Sequence, residues 1–595
     1  MNIGKFAIGL GLVCALWQCK STRSRLQEAS TANVQNFVNV QNGQLMLEGH
    51  PFRFVGSNFY RLALSDAFGA QVIQETYNGK VTYPQIEKVM ENYAAEGIKV
   101  VRLWTFSCEG SRGTNVVPPI LNKDFSLNPK GLRQLDFTIA SAARHGIKLI
   151  FPLVNFEHEY CGMEWWVENV QAIAPADAKS RFLQSCLSSD RKLQAVAKAG
   201  ESCPAGTTSA STKELFYTES LVRAKFKEYV TELLQRPNSY TGVVLRDDPT
   251  IMAIEVSNEP HTSDFYECML ADPSRNTLQR CQDIIDGKVS GLSYASFQPG
   301  TLVYNWLSDI SAFVKSIDKN HLVSTGEEAY RTSHESARCF QFRAWIHNGS
   351  KGVDFARDAS IPTVDIMSTH LYPDNWGVRP SELKDFYDCV FADRARLAAE
   401  HGKPIFMEES GFRESSYLKP GESAGAQDEL ELYPKDRAYY ISRMFAYALT
   451  AGFQGTMVWQ AAPLTVNDQV AEKDSFTFPI LNRVNGKAEY TREGFALARQ
   501  VECMNSLEQG GSVKNCRFLC PKEQSSDGFW AGDLNYACRA YQGGSSTASG
   551  EFPLCPSGVS APGGWGWVTD ETLCNAYSKT ADQFKTNRGC SCKAL

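Results

Sequence analysis

Two stretches of the chain end apolar runs in carboxylates. In LRDDPTIMAIEVSNEPH, residues 245–261, the apolar run at 251–256 lies between Pro249 and Pro260 and leads into Asn258 and Glu259. In KPIFMEESG, residues 403–411, a second apolar run leads into Glu408 and Glu409. Runs this short fit strands covered on both faces better than helices, which need more length. Cleaving a glycosidic bond calls for two carboxyl groups, one protonated to assist the departing oxygen and one ionised to attack the anomeric carbon. Side-chain alternation puts Glu255, Ser257 and Glu259 on one face, so two carboxylates compete on the first strand. Glu259 has the better position, because it lies where the strand leaves the core, while Glu255 sits deeper as a supporting group. By itself an Asn-Glu pair is more often an ordinary surface loop than a catalytic site, so the elements that carry it decide its meaning.

Those elements form a repeat. Amphipathic helices are predicted at 85–96, 131–145, 219–235, 306–318, 383–401, 437–450 and 493–507, and Gly97 and Gly146 stand where left-handed stops belong. Apolar strands ending in polar or aromatic residues alternate with them, from VGSNF through IKVVRLWTF, IKLIFPLVNF, the 251–256 run, HLVSTGEEAY, VDIMSTHLYPDNWG and KPIFMEESGF to FQGTMVWQ. Eight such units predict an α/β fold closed as a (β/α)8 TIM barrel. An open doubly wound sheet is the weaker alternative, since no Gly-rich phosphate loop follows the first strand. The alternating text FVNVQNGQLMLEGHPFRF reads as a hairpin lid on the barrel bottom. Insertions at 165–212, 262–296, 331–363 and 462–486 fall at strand tops, where they would wall a cleft.

The 595 residues are 43% hydrophobic and 21% charged with a formal net charge of -6, the composition of a soluble globular protein without the basic excess that nucleic acid requires. Residues 1–19 carry Lys5 and then an apolar stretch too short to span a bilayer, an export signal. Cys19 offers an alternative fate as a lipidated cysteine, the one route to a membrane, with Leu16 suiting that pattern and Gln18 not. A polar tether at 20–34, a barrel at 35–508 and a cysteine-rich module at 509–595 follow, in a protein expected to be secreted or at the cell surface. Of 18 cysteines, Cys14 and Cys19 lie in the leader, and the even remainder suits disulfides in an oxidising compartment. Cys186 with Cys203 and Cys268 with Cys281 are local pairings, though connectivity does not follow from sequence. Cys590 and Cys592 are too close together for zinc spacing, and neither a metal nor an organic cofactor is expected.

The segments LRDDPTIMAIEVSNEP, HLVSTGEEAY, HLYPDNWG and KPIFMEESG, with VVRLW and VWQ, resemble the endo-β-1,4-mannanases of glycoside hydrolase family 5. The resemblance implies retaining hydrolysis of internal β-1,4 links in mannan, galactomannan or glucomannan, with Glu259 as acid/base and Glu409 as nucleophile. It further implies that Arg102 and Tyr372 orient the nucleophile, that Asn258 meets the sugar 2-hydroxyl, and that His370 bridges the acid/base region. Trp459 would form the sugar floor with Trp104 nearby. For His370 and Trp104 taken singly, a satisfied core residue is the stronger reading. Ser410 stands where the family usually has an aromatic residue and His261 where it often has Arg, which bears on substrate preference. Strand three leaves its contact open among Asn155, His158 and Glu159. The rivals are a β-1,4-glucanase or exo-acting β-mannosidase on the same fold, and a non-catalytic sugar-binding protein.

After Gly510 the chain has too little apolar periodicity for a core of its own, so disulfides must constrain it. ACRAY at 537–541 and FPLCPSGVSAPGGWGWVTDETLC resemble a family 10 carbohydrate-binding module, which implies a sugar-binding strip of Tyr541, Trp565 and Trp567. A stapled tail with internally packed aromatics is the competing reading.

Overall fold

The computed structural model describes residues 36–519 apart from 70–71, 78, 113–115, 180–181, 189–193, 199–202, 204–206, 263–282, 285–287, 291, 293–297, 415–436, 466–473 and 485–486, together with 531–532. The leader with Cys19, the tether, the Cys268 and Cys281 pair, and Tyr541, Trp565 and Trp567 lie outside this range.

Eight parallel strands form the barrel: β1 Phe54–Asn58, β2 Val100–Arg102, β3 Lys148–Pro152, β4 Ile251–Glu255, β5 Leu322–Ser324, β6 Met367–Leu371, β7 Ile405–Ser410 and β8 Gly455–Val458. Each pairs in parallel with its neighbours, and β8 returns to β1. Between β5 and β6 a bridge from Ser324 to Ile366 closes the ring. All residues of β4 and β7 are buried, as continuous apolar runs require of strands covered on both faces.

The interior divides by height. Phe54, Val100, Ile150, Met252, Phe406 and Met457 fill the lower half with Val38 and Leu45 from the antiparallel sheet Asn39–Gln41, Gln44–Leu47 and His50–Pro51. This sheet is the lid expected from the opening hairpin. Gln454 ties it down, accepting from Leu45 N at 2.8 Å and donating to Gly43 O at 2.7 Å. Gly455 opens β8 because a Cβ there would meet the Phe54 ring at 2.1 Å. Polar side chains occupy the upper half, where the strands end.

The outer helices are α1 Pro84–Ala95, α2 Pro129–Arg144, α3 Ser220–Gln235, α4 Thr301–Ile317, α5 Leu383–Glu400, α6 Arg437–Thr450 and α7 Arg492–Glu508. Asn128 caps α2 by accepting from Lys130 N, ahead of Pro129 in the first turn. Gly97 and Gly146 have φ of 74° and 68°, the left-handed stops anticipated from sequence. Between β5 and β6 the described residues form only short helical turns, among them Ala337–Gln341 and Phe355–Asp358, and a Cys339–Cys389 disulfide fastens this segment to α5.

The insertion beginning near 165 is more regular than a loop. It contains the helix Met163–Ile173 and an antiparallel sheet with Leu183–Ser188 between Gln194–Lys198 and Thr207–Ser211. Cys203 is disulfide-bonded, and its expected pairing with Cys186 rests on side chains outside the described set. Cys503 on α7 bonds Cys516, and Leu519 N donates to Ser442 on α6 at 2.8 Å, so the first residues after 508 still lie against the barrel. No helix among the described residues is long and apolar enough to cross a membrane.

Candidate active site

The polar upper half of the barrel centres on Arg102 at the end of β2, whose side chain is wholly buried. Its Nε and Nη2 donate to the two oxygens of Glu255 at 2.6 and 2.7 Å, its Nη1 to Glu409 at 2.5 Å and Asn58 at 3.0 Å, and its Nη2 also to Asn258 at 2.6 Å. A planar guanidinium with five fixed donors serves this many strand ends where a lysine could not. Burial alone would lower the Arg102 pKa, but Glu255, Glu409 and Glu408 outweigh it and hold the pKa well above the ordinary value. Burial pushes the Glu255 carboxyl up, against the pull of Arg102. Glu255 therefore sits beneath the cleft as the anchor of Arg102, the supporting position its depth on β4 implied.

Glu409 ends β7 with its two oxygens engaged separately, one by Arg102 and the other by the Tyr372 hydroxyl at 2.7 Å. Burial raises its pKa, with His370 and Arg102 opposing and Glu259 adding to the rise. His370 on β6 lies between carboxylates, with Nδ1 2.9 Å from Glu259, Nε2 3.3 Å from Glu408, and Nδ1 3.6 Å from Glu409. Desolvation opposes its charge, but the three carboxylates prevail and raise its pKa well above the usual histidine value. Glu408, also wholly buried, is desolvated as well, yet His370 and Arg102 hold its pKa below the ordinary value.

Glu259 lies beyond the end of β4 on a left-handed backbone with φ 48°. Its amide donates to Gly326 O at 2.7 Å. Its side chain is 20% exposed against 5% for Glu409, so Glu259 faces the cleft while Glu409 lies in its floor. Carboxylate oxygens of Glu259 and Glu409 and a nitrogen of His370 all lie within 4.8 Å of one another. The same three ligating atoms could meet a metal ion, but Arg102, Tyr372 and His370 already supply the carboxylates with hydrogen-bond donors.

Aromatic residues from the segments that follow β1, β2, β3 and β8 line the neighbouring wall. Trp459 stacks on Tyr60 with ring centroids 5.0 Å apart and an interplanar angle of 13°, and Trp104 approaches Tyr60 at 4.7 Å and Tyr160 at 5.0 Å. The Trp459 indole donates to Asp474 at 3.1 Å. Trp104 is nearly buried, and its indole N–H has no protein partner among the described residues. The Cys108–Cys161 disulfide joins the β2 and β3 loops behind this wall.

The family model for "GH family 5 beta-mannosidase-like" matches residues 35–278 and 294–465. The chain belongs to glycoside hydrolase family 5. This family 5 hydrolase is 28% identical over 436 residues to "Mannan endo-1,4-beta-mannosidase 2" of Oryza sativa subsp. japonica, covering 72% of this chain and 77% of that protein. It is 27% identical over 489 residues to "Mannan endo-1,4-beta-mannosidase 7" of Arabidopsis thaliana, covering 80% and 91%. Its fold is that of the endo-beta-1,4-mannanase from Thermotoga petrophila, with a TM-score of 0.52, 23% identity and coverage of 79% of this chain and 81% of that one.

In the family 5 hydrolase, hydrogen bonds join Arg102, Asn258, Glu409 and Tyr372, and join His370 to Glu259, and the two sets meet where His370 lies 3.6 Å from Glu409, with Trp104 and Trp459 beside them. The choice left open on strand three falls to Asn155, which is buried and accepts from Asn258 Nδ2 at 2.9 Å. His158 and Glu159 instead face solvent and pair with each other. Sequence reasoning passed over Glu328, past the end of β5. Its carboxyl accepts from Tyr330 at 2.6 Å, and burial, with Glu259 adding, pushes it up to about 8. Its signal lies in GEEAY, a carboxylate where an apolar strand ends, as with Glu259 and Glu409.

Proposed function

We propose that this hydrolase is an exported, endo-acting β-mannanase that cleaves β-1,4-mannosidic bonds with retention by way of Glu409 and Glu259. The observation that carries the reading is the separation of the two carboxylates. Retaining enzymes hold their carboxyl groups about 5 Å apart, while inverting ones need several ångströms more to admit water. Oxygens of Glu259 and Glu409 within 4.8 Å favour retention. The relatives' names support mannan as substrate and internal cleavage, and the leader at 1–19 supports export.

In the first step an ionised Glu409 oxygen bonds to the anomeric carbon as the bond from that carbon to the glycosidic oxygen breaks, and the Glu259 proton passes to the departing oxygen. In the second, the Glu259 carboxylate takes a proton from water, the water oxygen attacks the anomeric carbon, and Glu409 leaves as a carboxylate. Arg102 and Tyr372 each hold one oxygen of Glu409 and so fix its direction of attack. Asn258 gives one amide hydrogen to Asn155 and has a second for the sugar 2-hydroxyl. Trp459 forms the floor under the reacting sugar, with Trp104 beside it. The tail aromatics Tyr541, Trp565 and Trp567 remain proposed sugar contacts on the strength of their resemblance alone.

The test is hydrolysis of mannan, glucomannan and a soluble cellulose derivative by wild type beside Glu259→Gln and Glu409→Gln. Short mannooligosaccharides from mannan, little action on cellulose and near-complete loss in both variants are expected. Monomeric mannose as the first product would mark an exo-acting enzyme, and near-normal activity in either variant would overturn the site.

A further inference from the structure

His261 follows the Asn258-Glu259-Pro260 turn, and its ring does two things. Nδ1 lies 3.0 Å from the carbonyl oxygen of Glu259, and the ring sits against Phe156 with centroids 3.7 Å apart. A carbonyl only accepts, so Nδ1 carries the hydrogen and donates it. Burial, with Lys351 and Lys213 nearby, pushes the His261 pKa down to about 3, so above that pH the ring is a neutral donor.

The residue it grips is the one that needs gripping. Glu259 is a non-glycine residue in left-handed backbone, a conformation that persists only where its surroundings impose it. Two hydrogen bonds impose it from opposite sides of the residue: the amide donates to Gly326 O, and the carbonyl accepts from His261. Gly326 permits the first, since a Cβ there would meet Ser257 O at 2.0 Å and Glu255 at 2.3 Å. The second depends on where His261 itself is held. Tyr217 donates to the His261 carbonyl at 3.1 Å, and Lys213 lies 3.5 Å from the centre of the Phe156 ring.

We infer that His261 is a positioning residue, which fixes the backbone of Glu259 and thereby the direction in which its carboxyl delivers a proton to the departing oxygen. The inference rests on the reading of Glu259 as acid/base. It gives the histidine after the Asn-Glu-Pro turn a task in the chemistry instead of one in substrate choice.

Two substitutions separate the hydrogen bond from the packing. His261→Phe keeps a ring against Phe156 but has no N–H, whereas His261→Asn loses the ring but can place an N–H where Nδ1 stands. Each is assayed in the full chain for kcat/KM on mannopentaose, whose leaving group needs a proton, and on 2,4-dinitrophenyl β-mannobioside, whose leaving group does not. His261→Phe is expected to lose roughly tenfold to a hundredfold on mannopentaose and less than about twofold on the aryl substrate, the split that impaired acid catalysis gives. His261→Asn is expected to recover most of the mannopentaose activity. Equal loss on both substrates, no loss on either, or better activity in His261→Phe than in His261→Asn would overturn the inference. Glu259→Ala is run in parallel: absence of the split there defeats the acid/base reading itself, while a split in Glu259→Ala without one in His261→Phe defeats only the role of His261.

Discussion

Arg102 and Glu255 form a two-point ion pair between β2 and β4, with N–O distances of 2.6 and 2.7 Å and both side chains wholly buried. The guanidinium turns its remaining edge to Glu409, so the orientation of the proposed nucleophile depends on a residue that faces away from the substrate. Removing one partner of a buried pair strands the other's charge. Glu255→Ala is therefore expected to lower unfolding free energy by about 3–5 kcal/mol in urea denaturation, and to reduce activity by freeing Arg102 to turn.

Tyr372 donates to Glu409 at 2.7 Å and works to lower a carboxyl pKa that burial raises. Attack requires Glu409 to be ionised, so the acid limb of kcat/KM should lie above the ordinary glutamate range. Tyr372→Phe removes a stabiliser of the charged form, and the limb should move to still higher pH. Losing a hydrogen bond to a charged group also predicts a fall in kcat/KM of roughly tenfold to a hundredfold at the optimum. A limb that stays in place would separate Tyr372 from the titration of Glu409.

His347 is buried beside Arg394, and desolvation, with Arg394, His334 and Arg331 adding, lowers its pKa from 6.5 to about 2. Between those values the unfolded chain binds a proton that the native state refuses, so this stability is present above pH 6.5 and is lost as the pH falls below it. The loss approaches about 1.4 kcal/mol per pH unit for one such group. His347→Gln is expected to flatten the decline in unfolding free energy between pH 6.5 and pH 4 by that increment; an unchanged slope would contradict the assignment.

The Cys108–Cys161 disulfide closes a separation of 53 residues between the β2 and β3 loops. Replacing both cysteines with serine should cost about 2–4 kcal/mol, measured by denaturation. Because Tyr160 is next to Cys161 and its ring meets Trp104, KM should rise more than kcat falls.

The barrel was legible because its signals are local. Apolar runs, amphipathic helices and the glycines at 97 and 146 each declare their element within a dozen residues, and Glu259 and Glu409 stand where such runs end. What sequence did not reveal depends on distant partners. Asn155, His158 and Glu159 are alike as polar residues after a strand, and only the approach of Asn258 from β4 distinguishes Asn155. Nothing local to residues 325–363 announces that short turns and a disulfide to α5 stand in place of a long helix. His370 read as an ordinary core histidine because the carboxylates that charge it come from other strands. The contact between His261 and the Glu259 carbonyl likewise requires the left-handed turn, which residue types alone do not declare.

The most direct test of double displacement through Glu409 and Glu259 is the anomeric configuration of the first reducing ends released from mannopentaose, followed by proton NMR before mutarotation. The geometry of the two carboxylates predicts that the β-anomer appears first and the α-anomer grows in later. Initial release of the α-anomer would contradict the account, since a single inversion leaves Glu409 no role as nucleophile.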